Sequence, residues 1–236
     1  MTPCPVTETT YIFQHIPKTG GTSLRLHFES HLQPYTEVVH LSETGEANAL
    51  AAGFKPFAER PDNERRRAKV IIGHDVNVHT KDLVQPNKTI QVTVLREPVS
   101  WIVSRYNQEM RKHDRAGQPI PNFWQWYELA PNARSQVDWI LLRHRGADTY
   151  IDAKSDDRLT LALEELRNFD HVWDLDHIQA QSSNLMTTLK AGELKRRENV
   201  TGQQHRRFLN AHDLESDRLK HVMAVDIELF RSVQFK

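Results

Sequence analysis

The feature that most constrains the fold of this chain is the alternation of short apolar segments with amphipathic ones. Five segments rich in β-branched and aromatic residues have the length of buried strands: TYIFQHI, TEVVHL, KVIIGH, TIQVTVL and HVWDL. An amphipathic helix is predicted after the first of them, because Leu24, Phe28 and Leu32 recur at helical spacing. Strands alternating with helices predict an α/β fold in which helices cover both faces of a central parallel sheet.

Length and composition narrow the class of protein further. The 236 residues, 38% hydrophobic and 26% charged, predict a single globular domain over residues 1–236. The formal net charge of zero gives no basic field for nucleic acid or an anionic membrane. Cys4, the only cysteine, excludes an internal disulfide framework and a cysteine zinc site. Without a recognisable signal sequence or membrane span, we expect a soluble cytoplasmic protein.

Ligands of parallel sheets bind where the carboxyl ends of strands lead into helices. Three such positions follow predicted strands here, after Ile16, after Ile72 and after Leu95. A binding site is therefore expected among the residues that follow these three strand ends.

The first of these loops has the composition of an anion-binding cradle. Gly20 and Gly21 allow close backbone approach, and the amides of the following residues belong to a helix N-terminus, which attracts anions. Lys18 adds a full positive charge, and Thr22 and Ser23 add hydroxyl donors. A capped helix start with an exposed lysine is the alternative, but it leaves Lys18 and the double glycine unexplained.

The loop differs from a Walker A motif, in which the lysine follows the last glycine and directly precedes Ser or Thr. Lys18 instead precedes both glycines, and the strongest strand ends at Arg96, where many nucleotide triphosphatases place a magnesium-binding aspartate. The sequence therefore disfavours a metal-dependent kinase or nucleotide triphosphatase.

A second anion-binding element follows the strand TIQVTVL. Arg96 offers a planar fork suited to phosphate, and Ser104 lies about two turns into the next predicted helix, which starts near Pro98. An ion pair between Arg96 and Glu97 is the alternative, as is a plain helical role for Ser104. Two anion-binding elements would suit a ligand that carries phosphates at both ends.

These motifs resemble those of sulfotransferases that use 3′-phosphoadenosine 5′-phosphosulfate (PAPS). HIPKTGGTSL is similar to their 5′-phosphosulfate loop, and VLREPVSWIVSRYN is similar to their 3′-phosphate segment. The branch that includes heparan sulfate 2-O-sulfotransferase is the most similar, and IIGH also resembles it. Trp101 departs from the pattern, because arginine often stands there.

The resemblance implies a P-loop-like, three-layer α/β/α fold and transfer of a sulfuryl group from PAPS to an acceptor hydroxyl, with PAP as the product. No metal is required in this chemistry. Six consecutive residues would hold the 5′-phosphosulfate: Lys18, Thr19, Gly20, Gly21, Thr22 and Ser23. Arg96 and Ser104 would hold the 3′-phosphate. The acceptor would be a carbohydrate or a glycosylated small molecule.

The acceptor hydroxyl needs a base, for which histidine is the commonest choice. His74 is the leading candidate because it ends the strand KVIIGH, at the sheet edge that Lys18 and Arg96 also follow. The resemblance points to the same residue. His79 is the reserve candidate, Asp75 could orient either ring, and His15 is expected to pack under the loop.

Three further segments permit more than one interpretation. The aromatic residues of NFWQWYEL could form an acceptor platform or part of the core. Arg65, Arg66 and Arg67 could bind an anionic partner or form a solvated face. The basic segment LKRRENVTGQQHRR could close over the nucleotide.

Two rival functions stay open, a kinase-like phosphoryl transferase and a nucleotide-binding module without activity.

Overall fold

A computed structural model describes residues 9–129, 134–152, 155–194, 208–209 and 216–235. Cys4 and most of the basic segment LKRRENVTGQQHRR, including residues 195–207, lie outside these ranges. The strands within them are β1 (Thr9–Gln14), β2 (Val38–His40), β3 (Val70–Gly73), β4 (Lys88–Leu95) and β5 (His171–Asp174). All five match segments that were predicted as strands.

Ten α-helices lie in the described ranges, in the segments between and after the strands. They are α1 (Gly21–Glu29), α2 (Glu43–Ala51), α3 (Asp62–Arg65), α4 (Pro98–Arg115), α5 (Phe123–Leu129), α6 (Gln136–Asp152), α7 (Ser155–Arg167), α8 (Ile178–Thr188), α9 (Ser216–Val222) and α10 (Ala224–Ser232). Pro98 is the first residue of α4, as predicted from its fixed φ and missing N–H. None of these described helices has both the length and the apolar character that a bilayer crossing requires.

The strands form one parallel sheet in the order β2-β3-β1-β4-β5. β1 lies between β3 and β4, with Phe13 opposite Ile72 on one side and opposite Val92 on the other. β2 continues the sheet beyond β3, where Val39 pairs with Ile71. The sheet with its flanking helices confirms the predicted α/β class and is consistent with the three-layer arrangement.

Side chains from alternate strand positions fill a core on each face of the sheet. On one face, Phe13 packs with Leu24 and Phe28 of α1 and with Trp173. Leu32 is buried in the same cluster but lies beyond the end of α1 at Glu29, so Leu24 and Phe28 form the buried face of the helix. The opposite face holds a second apolar cluster, composed of Ile12, Val39, Phe57, Ala68, Ile71, Val76 and Val84. Burial on both faces explains why the strands read as continuous apolar runs.

The chain divides into two compact units. The first takes in residues 1–94, 166–196 and 234–236 and contains nearly all of the sheet. The second takes in residues 95–165 and 197–233 and is helical in its described parts. The single domain expected over residues 1–236 stays a prediction.

A buried carboxylate organises the second unit. Asp226 of α10 accepts hydrogen bonds from the Ser135 hydroxyl (2.6 Å), the Gln136 N–H (2.9 Å) and the Val137 N–H (3.1 Å). These donors lie at the start of α6, so Asp226 satisfies N–H groups that would otherwise have no partner within the helix. Burial is the dominant influence on this carboxyl and raises the pKa of Asp226 to about 6.

Candidate functional site

The loop between β1 and α1 has the backbone conformation that its two glycines suggest. Gly20 has φ of +84° and precedes the first residue of α1. Lys18 also lies in the left-handed region, with φ of +68°, which is uncommon for a residue other than glycine. Such strain occurs preferentially at functional sites. The Thr19 hydroxyl is buried and donates to the Ile16 carbonyl (2.8 Å), so its side chain stabilises the loop.

The start of α1 is open to an anion. Its N-terminal amides have no side-chain cap, whereas Ser42 caps α2 and Glu97 caps α4. Thr22 is exposed and Ser23 is half-buried. Uncapped N–H groups at a helix N-terminus attract negative charge, and Lys18 beside them adds a full positive charge. These features fit the predicted cradle, and anion binding by it stays a prediction.

A histidine stands at or just after the end of three neighbouring strands of this unit. His15 follows β1, His40 is the last residue of β2, and His74 follows β3. Because β2, β3 and β1 are adjacent and parallel, their carboxyl ends meet at one edge of the sheet. The three imidazoles consequently line one cavity.

His15 holds His74 through both its backbone and its ring. The rings stack with centroids 4.2 Å apart and planes inclined by 22°. Nδ1 of His74 lies 2.7 Å from the His15 carbonyl oxygen. A carbonyl oxygen only accepts hydrogen bonds, so Nδ1 carries the proton. In the neutral ring, Nε2 is then the nitrogen with the basic lone pair.

The His15 ring also packs against the first residue of α1. A Cβ atom placed on Gly21 would lie 2.1 Å from Cδ2 of His15 and 2.3 Å from two further ring atoms. Only glycine therefore allows the helix to approach the ring this closely. His15 packs beneath the loop, as predicted, and connects the start of α1 to His74.

Two of the three histidines are held in the neutral state. Burial, assisted by the neighbouring His74, His40, Arg25 and Lys18, lowers the pKa of His15 well below its usual value. Burial together with the charges of Arg25 and His74 lowers the pKa of His40 to about 4, against an opposing effect of Asp75. Both rings are therefore uncharged at neutral pH.

The cavity beside these rings has a volume of about 410 Å³. It is lined by His15, Thr22, Arg25, His40, Ser42, Glu43, Thr44, His74 and Asp75. Small-molecule sites typically have volumes of about 300–1,000 Å³, so this cavity has room for a small ligand. Of the predicted site residues, His74 and Thr22 line it directly.

His79, the reserve candidate for the base, occupies a different environment. Its side chain is 84% exposed, with Nδ1 lying 3.8 Å from a carboxylate oxygen of Asp82. His79 is not among the residues that line the cavity. The geometry therefore favours His74 over His79 as the candidate base, because His74 is held beside the loop by its contacts with His15.

The second predicted anion-binding element, composed of Arg96 and Ser104, belongs to the second unit. The backbone of Arg96 is held in place there. Gln136 accepts from the Arg96 N–H (3.0 Å) and donates to its carbonyl (2.8 Å). Glu97 accepts from the N–H groups of Val99 (3.0 Å) and Ser100 (2.7 Å), so its carboxylate caps α4. The role of Arg96 in phosphate binding stays a prediction.

Two residues of α4 belong to the segment that resembles a 3′-phosphate site. Ser104 is half-buried, and its phosphate contact likewise stays a prediction. Trp101, which stands where the resembled family often has arginine, is fully buried. This position is therefore occupied by a buried apolar ring.

The aromatic segment NFWQWYEL is divided between core and surface. Phe123 and Trp126 are buried and pack on Tyr106. Trp124 and Tyr127 are half-buried. A guanidinium group lies over each ring: Cζ of Arg218 is 3.8 Å from the Trp124 ring centroid, and Cζ of Arg134 is 4.8 Å from that of Tyr127. Phe123 and Trp126 are therefore part of the core. An acceptor platform formed by Trp124 and Tyr127 stays a prediction.

Two residues of the arginine cluster, Arg65 and Arg66, form contacts with neighbouring residues of the chain. Arg65 forms a hydrogen-bonded ion pair with Asp62 and donates to the Ala58 carbonyl (3.0 Å). Arg66 donates to the Asp62 carbonyl (3.2 Å). These contacts are within or next to α3 and fit the solvated-face interpretation.

The sequence alone did not identify His40, Arg25 or Glu43 as site residues. A signal was present for His40, because it lies near the end of the predicted strand TEVVHL, as His74 does in KVIIGH. That signal becomes usable only when β2 is known to neighbour β3. Arg25 and Glu43 carry no local pattern that distinguishes them from other charged helix residues.

Comparisons with known proteins leave the family open. No protein-family model matches the chain, and no curated protein matches it.

Among the described residues, no group of three or more His, Cys, Asp or Glu side chains is arranged to hold a metal ion.

Proposed function

We propose that this protein is a sulfotransferase that moves a sulfuryl group from PAPS to an acceptor hydroxyl. The observation that carries the proposal is the contact chain from the start of α1 through His15 to His74. It joins an uncapped, lysine-bearing anion cradle to a histidine whose basic nitrogen is Nε2. The motifs HIPKTGGTSL and VLREPVSWIVSRYN, which resemble those of PAPS-dependent enzymes, supply the choice of donor.

The cradle would bind the 5′-phosphosulfate of the donor. Lys18 and the amides from Gly20 to Ser23 would offset the charge that develops on the leaving phosphate oxygen. The hydroxyls of Thr22 and Ser23 would donate further hydrogen bonds, whereas Thr19 keeps the loop in shape through Ile16. The resemblance assigns the 3′-phosphate to Arg96 and Ser104.

His74 would act as the general base. As the acceptor oxygen forms its bond to sulfur, the bond between sulfur and the 5′-phosphate oxygen breaks. The electron pair of that bond stays on the phosphate, which leaves as PAP, and the hydroxyl proton moves to Nε2 of His74. The protein would contribute in three ways: it holds the reactants in line, offsets the charge on the leaving oxygen and accepts this proton. None of these contributions requires a metal.

Transfer from radiolabelled PAPS in the presence of EDTA tests the proposal. A mixture of carbohydrate and phenolic acceptors should yield labelled sulfate esters, with no loss of rate when EDTA is added. Magnesium-dependent transfer of phosphate from ATP would favour the kinase-like alternative. Binding of PAP without turnover on any acceptor would favour a nucleotide-binding module.

A further inference from the structure

Arg96 stands at the point where the chain leaves the sheet. β4 ends at Leu95 and α4 begins at Pro98, so the backbone of Arg96 lies between the two elements and needs other partners. One side chain supplies them on both sides of the residue. Oε1 of Gln136 accepts from the Arg96 N–H at 3.0 Å, and Nε2 of Gln136 donates to the Arg96 carbonyl at 2.8 Å. A single amide group therefore satisfies both backbone groups of Arg96.

These two hydrogen bonds restrict the direction in which the Arg96 side chain leaves the backbone. The N–H belongs to the peptide plane before the Cα atom, and the carbonyl belongs to the plane after it. Because both planes are held, the Cα–Cβ bond has a defined direction. A planar guanidinium binds phosphate through parallel hydrogen bonds, whose formation depends on such alignment.

Gln136 is itself fixed by a buried acid. It is the first residue of α6, and its own N–H donates to Oδ2 of Asp226 at 2.9 Å. Ser135 and Val137 donate to the other carboxylate oxygen, so Asp226 anchors three consecutive residues. Gln136 and Asp226 are each only 2% exposed. A buried amide is costly unless its groups are hydrogen-bonded, and here its oxygen and its nitrogen both bond to Arg96.

We propose that Gln136 is a positioning residue of the nucleotide site, where it orients Arg96 toward the 3′-phosphate of the donor. The inference rests on the proposed function, which assigns this phosphate to Arg96. Gln136 acts through the backbone of Arg96 and does not touch the nucleotide. Its loss should therefore weaken the binding of the 3′-phosphate and leave the affinity for the rest of the nucleotide unchanged.

PAP and 5′-AMP, which differ only in the 3′-phosphate, test this role. Calorimetric titration gives both dissociation constants, and their ratio is the preference for the 3′-phosphate. A general loss of structure changes both affinities alike, so the ratio isolates the orientation of Arg96. Gln136→Met keeps the length of the side chain and loses both hydrogen bonds, whereas Gln136→Asn is a milder change that keeps the amide on a shorter chain. We expect each variant to lower the preference about tenfold, the contribution of about one charge-assisted hydrogen bond.

Two further variants define the scale. Gln181→Ala is the matched control, because Gln181 accepts from the Asp174 N–H (2.8 Å) and so holds the end of a different strand. It should keep the preference, whereas Arg96→Ala should abolish it. A preference that is kept in both Gln136 variants, or reduced equally in Gln181→Ala, would overturn the inference while the proposed function stands. If the unchanged protein binds both nucleotides equally, or if Arg96→Ala keeps the preference, the assignment of the 3′-phosphate to Arg96 fails and the inference fails with it.

Discussion

The imidazole of His74 is held by His15 at two points, a ring stack with centroids 4.2 Å apart and a 2.7 Å hydrogen bond to the backbone carbonyl. The stack restricts the tilt of the ring, and the hydrogen bond places the proton on Nδ1. The end of strand β1 therefore determines how the proposed base is presented, although the base itself follows β3.

Replacing His74 should separate catalysis from nucleotide binding. We expect His74→Ala to lower kcat by about 10²- to 10⁴-fold, the usual contribution of a general base. The dissociation constant for PAP should change little, since the residues proposed to hold the nucleotide do not include His74. Steady-state kinetics and calorimetric titration with PAP measure the two quantities.

His79→Ala is the matched control, because this exposed histidine does not line the cavity. Its kcat should stay close to that of the unchanged protein. If His79→Ala produced the large loss and His74→Ala did not, His74 would not be the base.

A methyl group on Gly21 should interfere with the ring of His15. Gly21→Ala places Cβ 2.1 Å from that ring, well inside van der Waals contact, so we expect a loss of about 1–3 kcal/mol in the free energy of unfolding. His15→Ala removes the obstructing ring, so the double variant should lose less than the sum of the single variants. Urea unfolding of the four proteins measures this coupling. Strictly additive losses would show that the two residues do not touch.

Local sequence patterns were sufficient for the strands and for the buried face of α1, but not for α2. The strands are buried runs of β-branched residues, and α1 carries Leu24 and Phe28 at the spacing of a buried helical face. Such patterns result from burial on one or both sides and are visible within a few residues. The loop with Lys18 and its two glycines was also recognisable, because its chemistry is concentrated in one short segment.

Pairing between distant segments was not visible in the sequence. His40 joins the site only because β2 neighbours β3, and strand order is determined by long-range packing. Gln136 holds both backbone groups of Arg96, yet nothing beside it in the sequence indicates that contact. Glu97 caps α4, a role that its position before Pro98 permits but that a search for ion pairs does not bring to attention.

Removing the charge of Lys18 should nearly abolish transfer while leaving the fold intact. We expect kcat/KM to fall by about 10²- to 10³-fold in Lys18→Ala, because the leaving phosphate loses its cation. Lys18→Asn removes the same charge with a residue that tolerates positive φ, so it distinguishes the loss of charge from backbone strain. Initial rates with radiolabelled PAPS and thermal unfolding are measured for both variants.

Lys190 offers a matched control because it is an exposed lysine with φ of +53°. Lys190→Asn makes the same chemical change at another residue with positive φ. We expect the rate of transfer to be unaffected. Near-normal turnover in both Lys18 variants would remove this residue from the mechanism.

The buried carboxyl of Asp226 should make the stability of the protein depend on pH. Its pKa is raised from 3.8 to about 6, so between about pH 4 and pH 6 the folded protein holds a proton that the unfolded chain releases. The free energy of unfolding should therefore fall as the pH rises through this range, by up to about 3 kcal/mol. Urea unfolding at a series of pH values measures this change.

Two variants separate the titration of Asp226 from its hydrogen bonds. Asp226→Asn should be less stable than the unchanged protein near neutral pH, because an amide group cannot accept all three hydrogen bonds, and it should lose the Asp226 contribution to the pH dependence. Ser135→Ala removes a donor that lowers the pKa of Asp226, so it should extend the fall in stability to higher pH. If Asp226→Asn showed the same fall between pH 4 and pH 6 as the unchanged protein, another group would be responsible for it.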